Sequence, residues 1–299
     1  MKIKSWLTAF RLKTLPLALS NTIMGSALAA AAGGFRWSVF GLVALTTILL
    51  QVLSNLANDY GDFANGKDTA ERIGPKRMVQ AGEISPQRML RAIIAISILC
   101  LISGGSLIII GTTGINIGNI LLFAALGLAA IAAAIKYTVG KNPYGYRALG
   151  DVFVFIFFGL VGVIGTYFMH AQTVQWALLL PATSMGLLCT GVLNMNNLRD
   201  YEADKNANKN TLVVFLGPAK AKYYHLVLIL GAVVCAIAYT LTNYSTNAQW
   251  LFLISLPVLA LNLKTVFTYK QSIELYPELG KLAIGTLLFA LSFGLGLLV

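Results

Sequence analysis

Long apolar runs with at most one charged residue each, broken by short polar segments, recur along the whole of this chain. They lie at 15–34, 38–58, 89–111, 117–138, 149–169, 175–197, 222–242, 249–268 and 280–298. A helix of roughly 17–25 residues crosses the hydrocarbon of a bilayer, so each run predicts one crossing. The runs are continuous rather than alternating, which excludes a barrel of short transmembrane strands. The expected fold is an all-α integral membrane protein with nine transmembrane helices. Composition agrees: 57% of the 299 residues are hydrophobic and 11% charged, and the mean hydropathy is +0.75. Soluble domains carry about a quarter charged residues, so a water-soluble fold is excluded.

The polar connections alternate in character. Of the 22 Lys and Arg residues, all but Arg36 fall in the N-terminal segment or in the second, fourth, sixth and eighth connections. A net charge of +11 therefore reads as the positive-inside rule, not as nucleic-acid binding. That rule puts the N-terminus in the cytoplasm and, after nine crossings, the C-terminus outside. The basic start "MKIKSWLTAFRLKTLPLALS" runs into a retained span rather than a cleaved signal. Cys100, Cys189 and Cys235 lie singly in apolar runs and predict neither a disulfide framework nor a zinc site.

All 11 acidic residues lie on or near the basic face, which the positive-inside rule does not require. The opposite connections "GTTGINIGN", "MHAQTVQW" and "LTNYSTNAQW" carry no charge. Two acidic clusters match each other. "NLAND" sets Asn55 four residues before Asp59 at the end of the second run, followed by Asp62. "NNLRD" sets Asn196 four residues before Asp200 at the end of the sixth, followed by Asp204. Residues three or four apart share a helix face, so within each cluster the side chains converge. The match divides a single membrane domain, 1–299, into two four-helix pseudo-repeats of like orientation, 1–147 and 148–270, with a last helix at 280–298. Parallel repeats place a shared site at their interface.

Four carboxylates facing one cavity repel unless a cation joins them, and oxygen-only ligands favour Mg²⁺ over Zn²⁺. The candidate ligands are Asp59, Asp62, Asp200 and Asp204. Mg²⁺ is held by a few carboxylates together with substrate phosphates, and Arg72, Lys76, Arg77, Arg147 and Lys209 are placed to meet phosphate oxygens. A headgroup site above a membrane cavity points to a lipid diphosphate.

"NDYGD", "GKDTAERIGPKR" and "NNLRDYEADKNANKNTL" resemble the intramembrane aromatic prenyltransferase superfamily. "KYTVGKNPYGYRALGDVFVFIFFGLVGVIGTYF" is similar to its branch that prenylates 1,4-dihydroxy-2-naphthoate in menaquinone synthesis. The likeness runs from about Trp6 to the last span. The superfamily's NDxxDxxxD would set a third acid at position 66, where this chain has Gly66 and then Asp68. A Gly-x-Asp ending is similar to the naphthoate branch, and Asp68 becomes a further metal candidate.

The resemblance implies nine helices around a central cavity capped by cytoplasmic loops, with lateral entry for the prenyl chain. It implies Mg²⁺, a polyprenyl diphosphate and dihydroxynaphthoate as partners, and the bacterial cytoplasmic membrane as location. Asn55, Asn58 and Asn196 would support the diphosphate site, and Lys136 and Tyr137 match positions near the diphosphate. Arg11, near the start of the first span, is a candidate for the acceptor carboxylate as well as an orientation charge. Two other readings stand beside this one: an acceptor such as 4-hydroxybenzoate or haem, and a secondary transporter, whose repeats and intramembrane charges look alike. Depth separates the transporter reading, since alternating access needs a site near the midplane.

Overall fold

The computed structural model describes residues 3–67, 73–74 and 76–299. Among them, nine helices are long and apolar enough to cross a membrane. They are α1 (Ile3–Ala31), α2 (Trp37–Ala64), α3 (Pro86–Gly111), α4 (Ile117–Lys136), α5 (Gly150–Ala171), α6 (Trp176–Arg199), α7 (Pro218–Thr242), α8 (Asn247–Thr268) and α9 (Ser272–Leu298). The only backbone bridge among the described residues joins Arg147 to Asn210.

Three elements differ from the sequence expectation, each for a local reason. α1 starts well before residue 15 and is broken at Arg11, whose φ of 52° lies in the left-handed region. The break is pinned from α2, where Asn55 Nδ2 donates to the Phe10 carbonyl at 2.9 Å and to Thr14 Oγ1 at 3.1 Å. α2 continues past residue 58 to Ala64, so Asp59 and Asp62 stand on its last turns, both buried. α9 begins before residue 280; Glu278 is buried in it and accepts from Asn262 Nδ2 of α8 at 3.1 Å.

Close crossings set the helix positions. A Cβ at Gly159 of α5 would stand 2.6 Å from the Gly186 Cα of α6, so only small residues permit this approach. Along that contact, Phe155–Gly165 of α5 widens into a π-helix, a form frequent at functional sites. The end of α2 meets the end of α4 just as closely. A Cβ at Gly61 would lie 2.6 Å from the Thr138 carbonyl carbon, while Thr138 Oγ1 donates to the Ala57 carbonyl at 3.0 Å. On the face opposite the acidic motifs Arg36 donates from its guanidinium to the carbonyls of Ile110, Gly111 and Met169 and so ties α3 to α5.

Candidate active site

A cavity of about 380 Å³ runs between the helices. Its lining reaches from Asp62 back to Val43 on α2, about 28 Å of helix at 1.5 Å per residue. At the charged end the lining includes Asp62, Arg77, Tyr146, Asp200, Asp204 and Lys209. The far end is apolar, closed by Val39, Val43 and Met169 packed with Leu107, Ile108 and Phe123.

Asp62 sits at the centre of the charged end. It is paired with the buried Arg77, accepts the Tyr146 hydroxyl at 2.7 Å, and lies 2.9 Å from Lys209 Nζ. The same ammonium is 3.9 Å from Asp204 and 5.4 Å above the Tyr146 ring. One cation therefore stands between a carboxylate of the first motif and one of the second. Low surrounding polarity makes such pairing obligatory, since a buried unpaired carboxylate is strongly disfavoured.

The other two carboxylates are engaged differently. Asp59 accepts the backbone N–H groups of Met78 and Val79 at 2.8 and 3.1 Å. It holds the loop after α2 against the helices, where Met78 and Val79 join a core with Leu53, Leu56 and Met89. Asp200 takes two bonds from Arg199, at 2.8 and 2.6 Å, and Arg199 also donates to Asn196 Oδ1 at 2.8 Å. Among the described residues, no three His, Cys, Asp or Glu side chains gather as a metal site. Asp62, Asp200 and Asp204 line the cavity beside Lys209, Arg77 and Arg199, whereas Asp59 stands outside the lining and is held by uncharged backbone N–H groups, so the four acids do not form one cluster. The donor chemistry still fits a hard cation: Asp62 and Asp204 offer oxygen ligands at the spot the Lys209 ammonium bridges.

Other expected residues divide clearly. Arg11, Asn55, Asn58, Tyr137 and Asn196 line the cavity. Lys76, Lys136 and Arg147 are exposed and outside its lining; Asp68 and Arg72 lie outside the described residues. Burial, and after it the charge of Asp151, pushes the Tyr137 phenol well above its ordinary value, so it remains a neutral donor. Tyr146 and Arg199 were not singled out from sequence. Arg199 lies inside "NNLRD", yet a base there reads equally as an orientation charge. Tyr146 reaches Asp62 only because two distant connections meet.

The second and fourth connections are each clipped to the sixth over the charged end. Lys67 Nζ donates to the Ala207 carbonyl at 2.6 Å, and the Ala148 N–H donates to the Asn210 carbonyl at 2.7 Å. Fold and site together define a helical membrane protein with an anion-and-cation site at the head of an apolar cavity. Residues 18–274 match the UbiA prenyltransferase family, and the chain belongs to that family. It is 45% identical to 1,4-dihydroxy-2-naphthoate octaprenyltransferase of Haemophilus influenzae, over 100% of this chain and 97% of that one. It is 43% identical to the Escherichia coli protein of the same description, over 99% and 96%. A UbiA homolog from Archaeoglobus fulgidus bound to GPP and Mg²⁺ has the same fold. Its TM-score is 0.63 at 17% identity, covering 99% of this chain and 100% of that one.

Proposed function

We propose that this protein transfers a polyprenyl group from its diphosphate to 1,4-dihydroxy-2-naphthoate, with loss of CO₂ and diphosphate, a step of menaquinone synthesis. The observation that carries the reading is the Lys209 ammonium held between Asp62 and Asp204 at the head of an apolar cavity. Full-length likeness to proteins described as naphthoate octaprenyltransferases supports the acceptor, and the A. fulgidus homolog bound to GPP and Mg²⁺ supports the donor class and the metal.

Asp62 and Asp204 hold Mg²⁺, with Asp59, Asp200 and Asp68 as further candidate ligands and Asn55, Asn58 and Asn196 in support. When bound, the ion supplies Lewis-acid stabilisation of the departing diphosphate charge. Arg77 and Lys209, which neutralise Asp62 in the structure, turn to the diphosphate oxygens as it arrives. Arg72 and Lys76, from the same loop, and Arg147 add positive charge around the headgroup. Tyr137 stays protonated and offers a hydrogen bond at the same end, with Lys136 beside it.

The prenyl C1–O bond breaks and its electron pair leaves with the diphosphate. The ring carbon bearing the carboxylate forms the new bond to C1, and the electrons of the C–CO₂ bond return to the ring as CO₂ departs. No proton need be removed. Apolar walls keep water from the allylic centre. The charged face is cytoplasmic in the bacterial inner membrane, the N-terminus lies on it and the C-terminus lies outside. The two four-helix halves each contribute one carboxylate to the bridged pair.

Purified protein with Mg²⁺ and octaprenyl diphosphate is offered 1,4-dihydroxy-2-naphthoate, 4-hydroxybenzoate and haem in separate reactions. Prenylated naphthoquinol with CO₂ release is expected, and chelation of the metal stops it. Turnover of 4-hydroxybenzoate alone would replace the acceptor and keep the family. Mg²⁺-independent solute uptake into vesicles, without prenyl transfer, would favour a transporter.

A further inference from the structure

The cavity has two chemically different walls. α1 and α2 contribute Thr14, Thr22, Thr47, Gln51 and Ser54 beside Leu17, Val43 and Leu50, whereas α4 and α5, Thr166 apart, contribute apolar side chains such as Phe123, Leu126, Phe153 and Phe157. A polyprenyl tail finds its natural lining on the second wall. It has nothing to offer the first.

Most of the polar groups on the first wall are already committed. The Thr22 hydroxyl donates to Thr47 Oγ1 at 3.3 Å, and Thr47 donates to the Val43 carbonyl at 2.7 Å. Thr14 is saturated: its only hydroxyl hydrogen goes to the Arg11 carbonyl at 2.9 Å. Its oxygen accepts from Asn55 Nδ2 at 3.1 Å and from Gln51 Nε2 at 3.2 Å. Because Thr14 has no second hydrogen to give, Gln51 must face it with its NH₂ group. Which end of the amide faces Thr14 is therefore fixed by its surroundings. That leaves Oε1 of Gln51 as the free end, shielded from solvent and with no hydrogen-bond partner. A desolvated carbonyl oxygen lacking a donor is costly, and here it belongs to a residue lining the candidate active site.

We propose that Gln51 reads the aromatic acceptor, its side-chain carbonyl accepting a hydrogen bond from a ring hydroxyl. This rests on the reading of the cavity as an aromatic prenyltransferase site. The complementary group must be a donor. Ionised diphosphate oxygens only accept, and the tail carries no polar hydrogen, so a phenolic O–H is the group on either substrate that fits. A neutral amide suffices, because bond formation with loss of CO₂ leaves the hydroxyl proton in place. The terminal side-chain torsion of Gln is soft, so a small turn brings Oε1 to the cavity surface. The break in α1 is then functional as well as structural: Thr14, held at the break, orients the amide that selects the ring.

The full-length protein is assayed with prenyl diphosphate and Mg²⁺, using 1,4-dihydroxy-2-naphthoate and its 1-hydroxy and 4-hydroxy monohydroxy analogues. Wild type should discriminate against one analogue by about tenfold in kcat/KM, the scale of one buried hydrogen bond. In Gln51→Met and Gln51→Leu, KM for the dihydroxy acceptor rises by a similar factor, and discrimination against that analogue falls by about tenfold from its wild-type value, leaving the part set by ring reactivity. KM for the prenyl diphosphate stays at its wild-type value. Unchanged discrimination in the variants, or a parallel rise in both KM values, would overturn the assignment. So would equal use of all three rings by wild type, a result that needs no folded variant. If wild type instead prenylates another hydroxylated aryl acid, the naphthoate reading fails while the comparison still tests Gln51 on that acid and its deoxy analogue.

Discussion

Asp62 meets Arg77, Lys209 and Tyr146 at once, and its two charged partners come from different connections. Asp62→Asn removes the anion both bases face, so the structure leaves two buried cations less compensated. Expected is a fall in kcat of about 100-fold or more, read by product formation, together with a lower melting temperature in detergent. Asp59 predicts a different profile. Asp59→Ala strips two buried N–H groups of their acceptor, at about 1–3 kcal/mol each. A drop in melting temperature should accompany any loss of turnover; lost turnover at an unchanged melting temperature would instead make Asp59 a direct ligand. At this scale the acids were legible in sequence because buried carboxylates near a membrane need a purpose. Their individual partners were not, since a spacing of three or four residues gives a shared face and no information about Met78, Arg77 or Tyr146 arriving from elsewhere.

Helix α2 carries the first motif and is located by contact rather than by its own sequence. Gly61 packs on Thr138 with no room for a methyl group. Gly61→Ala should therefore push α2 from the end of α4, costing about 1–3 kcal/mol and disturbing Asp62 one residue on. Gly105→Ala in α3 is the control. Nothing lies within 4 Å of a Cβ there, so the change should be neutral or stabilise by about 0.5–1 kcal/mol; thermal melts of the two variants check both. The break at Arg11 shows the same dependence on neighbours. Pro16, in the first turn of the helix Leu15–Ala31, marks where the main part of α1 starts. The preceding helical turns at Ile3–Phe10 are held by Asn55 and by Ser5 Oγ donating to Glu83 at 3.2 Å, contacts from far along the chain.

Across the whole molecule, charge asymmetry predicts orientation. Lys136→Cys on the charged face should react with a membrane-impermeant maleimide in inverted vesicles and not in intact cells. Val174→Cys, exposed on the opposite face, should react in intact cells and not in inverted vesicles. The reverse pattern would invert the topology. Number of crossings, class of fold and the two acidic motifs followed from the sequence itself, because hydrocarbon thickness fixes run length and ionisable groups are sparse in an apolar chain. Which acids face each other was decided only in three dimensions. Lys209 joins Asp62 to Asp204 because the connections after the second and fourth spans are each clipped to the one after the sixth, at Lys67–Ala207 and Ala148–Asn210. Long-range packing of that kind leaves no periodic trace in the chain, and neither does the unpaired oxygen of Gln51, which exists only because Thr14 has no hydrogen left to give.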